Sequence, residues 1–76
     1  MSFKLPRIKA KDLIKVAIKS GFEFDRQSGS HAVYIRKSDK KRIIVPIHSG
    51  KDLKSKTLLG IIKDMGLEKE QFKELL

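Results

Sequence analysis

The chain has no cysteine, so neither a disulfide framework nor a thiolate metal site is open to it. A reducing compartment suits such a composition, and a cytoplasmic location is the expectation. Long apolar runs are also missing. The longest, Ile43 to Ile47, contains Pro46 and is far too short to cross a bilayer. The opening residues, Met1-Ser2-Phe3-Lys4-Leu5-Pro6-Arg7, lead into no apolar stretch of the kind a secretory signal requires. A soluble protein without a membrane segment is therefore expected. There is no internal repeat and no low-complexity tract. Histidine occurs only twice, at His31 and His48, and nine Asp and Glu stand against eighteen Lys and Arg.

Seventy-six residues allow one small domain over 1–76, which buries only about 60–65% of its unfolded surface. The formal charge of +9 is unevenly placed. Residues 1–56 carry fifteen Lys and Arg against five Asp and Glu, whereas residues 57–76 carry three against four. A basic body with a nearly neutral tail is the electrostatic footprint of a polyanion binder, nucleic acid first. An acidic protein or an anionic membrane surface fits less well, and a solvated lysine-rich surface accounts for the charge alone.

Residues 1–9 read as an extended arm, with Pro6 disfavouring helix at Leu5. Lys11 to Ser20 reads as an amphipathic helix. Leu13, Ile14, Ala17 and Ile18 recur at helical spacing, Lys11, Lys15 and Lys19 stack on another face, and Gly21 suits the stop. No good N-cap residue precedes it. Phe22 to Gln27 alternates as a half-buried strand, Ser28-Gly29-Ser30 is a turn, and His31 to Lys37 is a second strand. After Ser38-Asp39-Lys40-Lys41, Arg42 to His48 forms a third strand, whose Pro46 must face an open edge.

A loop at 49–52 precedes a helix with Ser55 as N-cap and Leu58, Ile61, Ile62 and Met65 as its buried stripe. Gly60 inside that helix marks close packing against the sheet. Residues 67–76 form a short C-terminal helix that packs Phe72, Leu75 and Leu76. The fold class is α+β, ordered α-β-β-β-α, with a three-stranded antiparallel sheet and helices on one face.

The two histidines bracket one hairpin. With a turn of two or four loop residues that makes paired positions sum to 79, His31 lies opposite His48, Tyr34 opposite Val45 and Ala32 opposite Ile47. Val33, Ile35, Ile44 and Pro46 then share the open face with both histidines. A turn longer or shorter by one residue buries His31 instead. Two-residue turns are the commoner type, so the first register is expected. It leaves an apolar strip of Val33, Ile35 and Ile44, which fits a partner or a self-contact. Histidine trades protons near neutral pH, and one ringed by cations suits phosphodiester chemistry. A strand-end histidine without other context is more often structural or merely exposed. Two histidines without a carboxylate cluster make a poor metal site, and Asp39 and Asp52 are explained by turn chemistry.

The chain resembles the HicA-type mRNA interferases, small RNase toxins of toxin–antitoxin pairs. The likeness is carried by Leu5-Pro6-Arg7, Ser20-Gly21-Phe22, Arg26-Gln27-Ser28-Gly29-Ser30-His31, Val45-Pro46-Ile47-His48-Ser49-Gly50-Lys51-Asp52-Leu53 and Thr57-Leu58-Leu59-Gly60-Ile61-Ile62. The resemblance implies a fold similar to a double-stranded-RNA-binding domain, an mRNA substrate, and a HicB-type antitoxin as neutralising partner. It also implies that His31 is catalytic, with Ser30 and His48 as candidate helpers. Departures are minor: Asp12 and Asp52 stand where relatives often carry Glu, and Ile44 where a polar residue is common.

An RNA strand carries its own nucleophile, the 2′-OH, so metal-free cleavage needs a base, an acid and cations for the phosphate. His31 is the candidate base, and Arg26, Lys51, Lys54 and Lys56 are candidate phosphate contacts. No cofactor and no metal are expected. The competing expectation is a non-catalytic RNA-binding module of the same fold, which would not need an imidazole at position 31.

Overall fold

The computed structural model describes residues 7–48 and 50–76. The elements are α1 (Ala10–Lys19), β1 (Glu23–Ser28), β2 (His31–Arg36), β3 (Lys41–Pro46), α2 (Ser55–Asp64) and α3 (Lys69–Leu75). The strands form one antiparallel sheet with β2 in the centre. This is the expected α+β arrangement, like a double-stranded-RNA-binding domain with a terminal helix added. Residues 1–6 of the expected arm, and Ser49 of the expected loop, lie outside the described residues. The segment just before α1 is extended. The Leu53 N–H donates to the Ile8 carbonyl at 2.7 Å and Lys9 bridges to Asp52, fastening the chain start to the loop before α2.

Helix α1 begins without a Ser, Thr, Asp or Asn cap. Instead Asp12 reaches back and accepts the Lys9 N–H at 3.1 Å, satisfying one of the orphan donors of the first turn. Its buried face is Ala10, Leu13, Val16 and Ala17. Ile18 was expected on that face but is 58% exposed, because it lies one 100° step past Ala17, beyond the stripe that Ala10 and Leu13 begin. Helix α2 buries Leu58, Ile61 and Ile62, with Met65 just past its end, as their spacing requires. Ser55 is its first residue rather than its cap, which is Lys54. Gly60 does not mark close packing: a Cβ built there meets nothing within 4 Å. In α3, Phe72 is fully buried, Leu75 half-buried and Leu76 42% exposed. The Lys19 ammonium donates to the Leu75 carbonyl at 2.9 Å, tying α3 to α1.

Helices α1 and α2 end in the same way. Gly21 (φ +93°) and Gly66 (φ +76°) take the left-handed conformation one residue past each helix cap. Phe22 N–H donates to Ala17 and Gly21 N–H to Ile18; Leu67 N–H donates to Ile62 and Gly66 N–H to Lys63. These are two Schellman motifs. The cap carbonyls, Ser20 and Met65, are both taken by Arg36, at 2.9 and 3.1 Å. The guanidinium also sits 4.6 Å from the centre of the Phe22 ring and is gripped by Asp39 through two hydrogen bonds at 3.1 and 2.8 Å. Hydrogen bonding to Asp39 raises the Arg36 pKa against a small opposing effect of burial. The hydrogen bonds from Arg36 hold the Asp39 carboxyl below the ordinary carboxylate range, and the Lys41 backbone N–H adds to this.

The register of the β2–β3 hairpin differs from the expected one. His31 pairs with Pro46, Ala32 with Val45, Val33 with Ile44, and Tyr34 with Ile43. The ladder closes at Arg36–Lys41, so the loop is 37–40 and the pairing slips by two residues. Arg36 is held back by Asp39 and two helix ends, and Lys40 closes the turn at φ +58°. A slip of two preserves facing: Ala32, Tyr34, Ile43 and Val45 still join the core. Ile47 N–H donates to the Ser30 carbonyl at 2.6 Å, so His31 and Pro46 form the neighbouring non-hydrogen-bonded pair. The missing Pro46 N–H therefore falls on the free outer edge of β3, as expected.

Strand β1 is exposed along its length rather than half-buried. Phe22 is buried but precedes the strand, and Phe24, 57% exposed, packs edge-on against Tyr34 with ring centres 5.6 Å apart.

Arg36→Ala is expected to destabilise the protein by about 2–4 kcal/mol, since two buried-side carbonyls lose a charged donor and Phe22 loses its cation. Arg36→Lys should recover little of this, because one ammonium lacks the fork that reaches both carbonyls and the carboxylate. Urea denaturation measures both. Gly60→Ala, in open space within a helix, should stabilise by about 0.5–1 kcal/mol in the same assay.

Candidate nucleic-acid interface around His31

A two-residue loop, Gly29-Ser30, joins β1 to β2. Gly29 has φ +57° and Ser30 does not share the positive sign, the pattern of a type II′ hairpin turn. The turn delivers His31 as the first residue of β2, paired with Ser28 on one side and Pro46 on the other. Residues paired directly across an antiparallel sheet point to the same face. Ser28, His31 and Pro46 thus form one row on the face away from the helices. His31 is exposed and, among the described residues, makes no side-chain hydrogen bond or ion pair.

The next row along this face is Arg26, Val33 and Ile44, and the one after it Glu23, Ile35 and Arg42. Arg26 owes its place to the two-residue turn, from which Ser28–His31, Gln27–Ala32 and Arg26–Val33 follow in regular alternation. Beyond Arg26 the pairing jumps to Phe24–Tyr34, leaving Asp25 as the extra residue. Without that bulge Phe24 would pair with Ile35 on the open face instead of with Tyr34. The Arg26 side chain is 63% exposed and pairs with Asp25 at 2.9 Å. No signal in the residues around Asp25 foretells the bulge.

His48 is not opposite His31. Pro46 holds that position, and His48 lies two residues further on, about 7 Å along the strand direction. It is exposed, and its carbonyl accepts the Lys51 N–H at 3.1 Å. His48 stands between two clefts. One, of about 380 Å³, is lined by Pro46, His48, Lys51, Asp52, Leu53, Lys54 and Thr57. The other, of about 390 Å³, is lined by Lys9, Ala10, Lys11, Ile14, Ile47, His48 and Gly50. Pro46 is thus both the cross-strand neighbour of His31 and a wall of the first cleft.

The candidate cations divide. Lys51 and Lys54 share the cleft with His48, whereas Lys56 is exposed on the first turn of α2 and is not part of its lining. Ser30 is the second turn residue, its carbonyl anchoring the ladder to Ile47. The apolar strip is narrower than expected. Val33 is only 6% exposed although it faces away from the helices, enclosed between Arg26 and Ile44. Ile35 is half-buried, and Ile44, at 50% exposure, is the open part. Lys9 and Lys11, which line the second cleft, were not singled out from the sequence; a lysine on an amphipathic helix carries no mark of a cleft. Among the described residues no group of three or more His, Cys, Asp or Glu is arranged to hold a metal ion, and no helix is long and apolar enough to cross a membrane.

Residues 10–67, which carry the turn and both histidines, match a family model described as the HicA toxin of bacterial toxin–antitoxin systems. No curated protein matches the chain.

Gly29 has nothing within 4 Å of an added Cβ, so its role is conformational. Gly29→Ala is expected to cost about 1 kcal/mol through strain at positive φ alone. Urea denaturation checks the cost, and a loss well above it would mean that the turn also makes contacts.

Proposed function

The chain belongs to the HicA toxin family, and from that premise we propose that this toxin of a toxin–antitoxin system is an endoribonuclease that cuts mRNA through His31 without a metal ion. The observation that carries the reading is an exposed imidazole with no internal partner, set beside Pro46 on the rim of a cleft lined by Lys51 and Lys54. A structural histidine would be tied to its neighbours. This one is left available to a ligand.

In the proposed reaction the His31 imidazole accepts the proton of the ribose 2′-OH. The 2′-oxygen bonds to the adjacent phosphorus, the bond from phosphorus to the 5′-oxygen breaks, and that oxygen leaves with a proton. The products are a 2′,3′-cyclic phosphate and a 5′-hydroxyl. His48, on the other side of Pro46 and between the two clefts, is the proposed proton donor to the leaving oxygen. Lys51 and Lys54 stabilise the charge that builds on the phosphate, and Arg26 and Lys56 contact flanking phosphates. Ser30 acts through its carbonyl, which fixes the hairpin end on which His31 sits.

The family implies an antitoxin partner. We assign its contact to the open sheet face around Ile44 and Ile35, with Val33 as their packed support. An acidic, HicB-type partner there would cover His31 and occupy the cations RNA needs.

The test is cleavage of a labelled single-stranded mRNA by purified, partner-free protein in EDTA. Wild type is expected to leave cyclic 2′,3′-phosphate ends, and His31→Ala to lose at least about 100-fold in rate while still binding RNA. Cleavage by both proteins would remove His31 from the chemistry. Binding without cleavage by either would favour the non-catalytic RNA-binding module.

A further inference from the structure

The far end of the β2–β3 hairpin breaks two local rules at once. Between Arg36 and Arg42 five of seven residues are cationic, and they gather around an open cleft of about 620 Å³ lined by Ile35, Arg36, Lys37, Lys40, Lys41 and Arg42. The acids nearby do not neutralise it. Both Asp39 carboxylate oxygens are committed to Arg36, and Glu23 meets Lys37 only at 3.8 Å. Lys40 and Arg42 form no ion pair among the described residues, and Lys41 shares Asp39 with Arg36, donating to it only through its backbone N–H at 3.3 Å. In addition, Lys40 is the one non-glycine described residue with positive φ, +58°. A lysine in that conformation is strained where glycine would not be. Like charges crowded around a strained turn weaken the fold, and such departures from local preference concentrate where a ligand is bound.

The cluster also reaches the face of His31. Arg42 occupies the same open face, four residues along β3 from Pro46, the partner of His31. That is roughly 14 Å at about 3.4 Å per residue. Arg26 stands in the row between. The face therefore carries His31, Arg26 and Arg42 in successive rows about 7 Å apart, each step about two stacked nucleotides of one strand.

We propose that the hairpin end formed by Lys37, Lys40, Lys41 and Arg42 around Ile35 is a second phosphate-binding subsite, which holds the RNA strand about four nucleotides from the phosphate at His31. It rests on the RNase reading above, and it adds a length requirement to the substrate. RNA is favoured over an acidic protein because Arg26 and Arg42 stand in successive rows of the face that carries His31, each row about two nucleotides from the last.

The test compares the His31→Ala chain with the same chain carrying Lys37→Gln, Lys40→Asn and Arg42→Gln, binding a single-stranded RNA of about 12 nucleotides across a salt series. Asn tolerates the left-handed conformation, and Arg36 and Lys41 stay intact to preserve the turn. Removing three phosphate contacts should lower affinity about 10-fold at low salt and reduce the salt slope by about 2. The charge-retaining variant Lys37→Arg with Arg42→Lys should keep the parent slope, and equal thermal midpoints show that the fold is retained. An unchanged slope in the triple variant overturns the subsite alone. An equal loss of affinity for poly-glutamate assigns the cluster to acidic protein and overturns the RNA assignment. Failure of the parent chain to bind RNA at all would overturn the RNase reading, and the subsite with it.

Discussion

The guanidinium of Arg36 gathers the negative ends of two helices at one point. Helices α1 and α2 both finish in a glycine-centred Schellman turn, and the cap carbonyl of each, Ser20 and Met65, accepts a hydrogen bond from the same side chain. A cation at a helix C-terminus is favourable, and here one cation serves two helices while covering Phe22. Asp39 grips it from the turn. Because Arg36 is the last residue of β2, this node fixes where the hairpin turns, and so which residue of β3 faces His31.

That dependence runs the length of the hairpin. The ladder closes at Arg36–Lys41 and, counting back along both strands, puts Pro46 beside His31. Pro46 leaves no N–H on the free edge of β3 and also walls the cleft that contains His48, Lys51 and Lys54. On the other side of β2, the two-residue Gly29-Ser30 turn puts Arg26 opposite Val33, on the face of His31. Two turns, one of four residues and one of two, thus decide the company of one exposed imidazole.

The open face is consequently a mixed surface. Histidine and arginine alternate along it with Val33, Ile35 and Ile44, and only Ile44 is widely exposed. On the function proposed above, a polyanion would meet the cations, while an acidic partner would meet the same cations and cover Ile44 as well. Competition between substrate and inhibitor would then follow from shared charges without any change of shape.

Much of this was legible in the chain itself. Glycine at 21 and 66, the apolar spacing of α2, the Gly-Ser turn and the in–out alternation of β2 and β3 are local properties, fixed by backbone sterics and by a period of two or 3.6 residues. They place His31 at a strand mouth on the open face whichever even-length turn is adopted. The Gly-Ser-His context and the order of motifs around it also carried the family. What only the tertiary structure decided was register: His31 against Pro46 rather than His48, Phe24 beside Tyr34, Val33 enclosed, Ile18 outside the core. Alternation is indifferent to a slip of two residues and silent about a bulge. The choice falls to a long-range contact, Arg36 with two helix ends, that no local pattern contains.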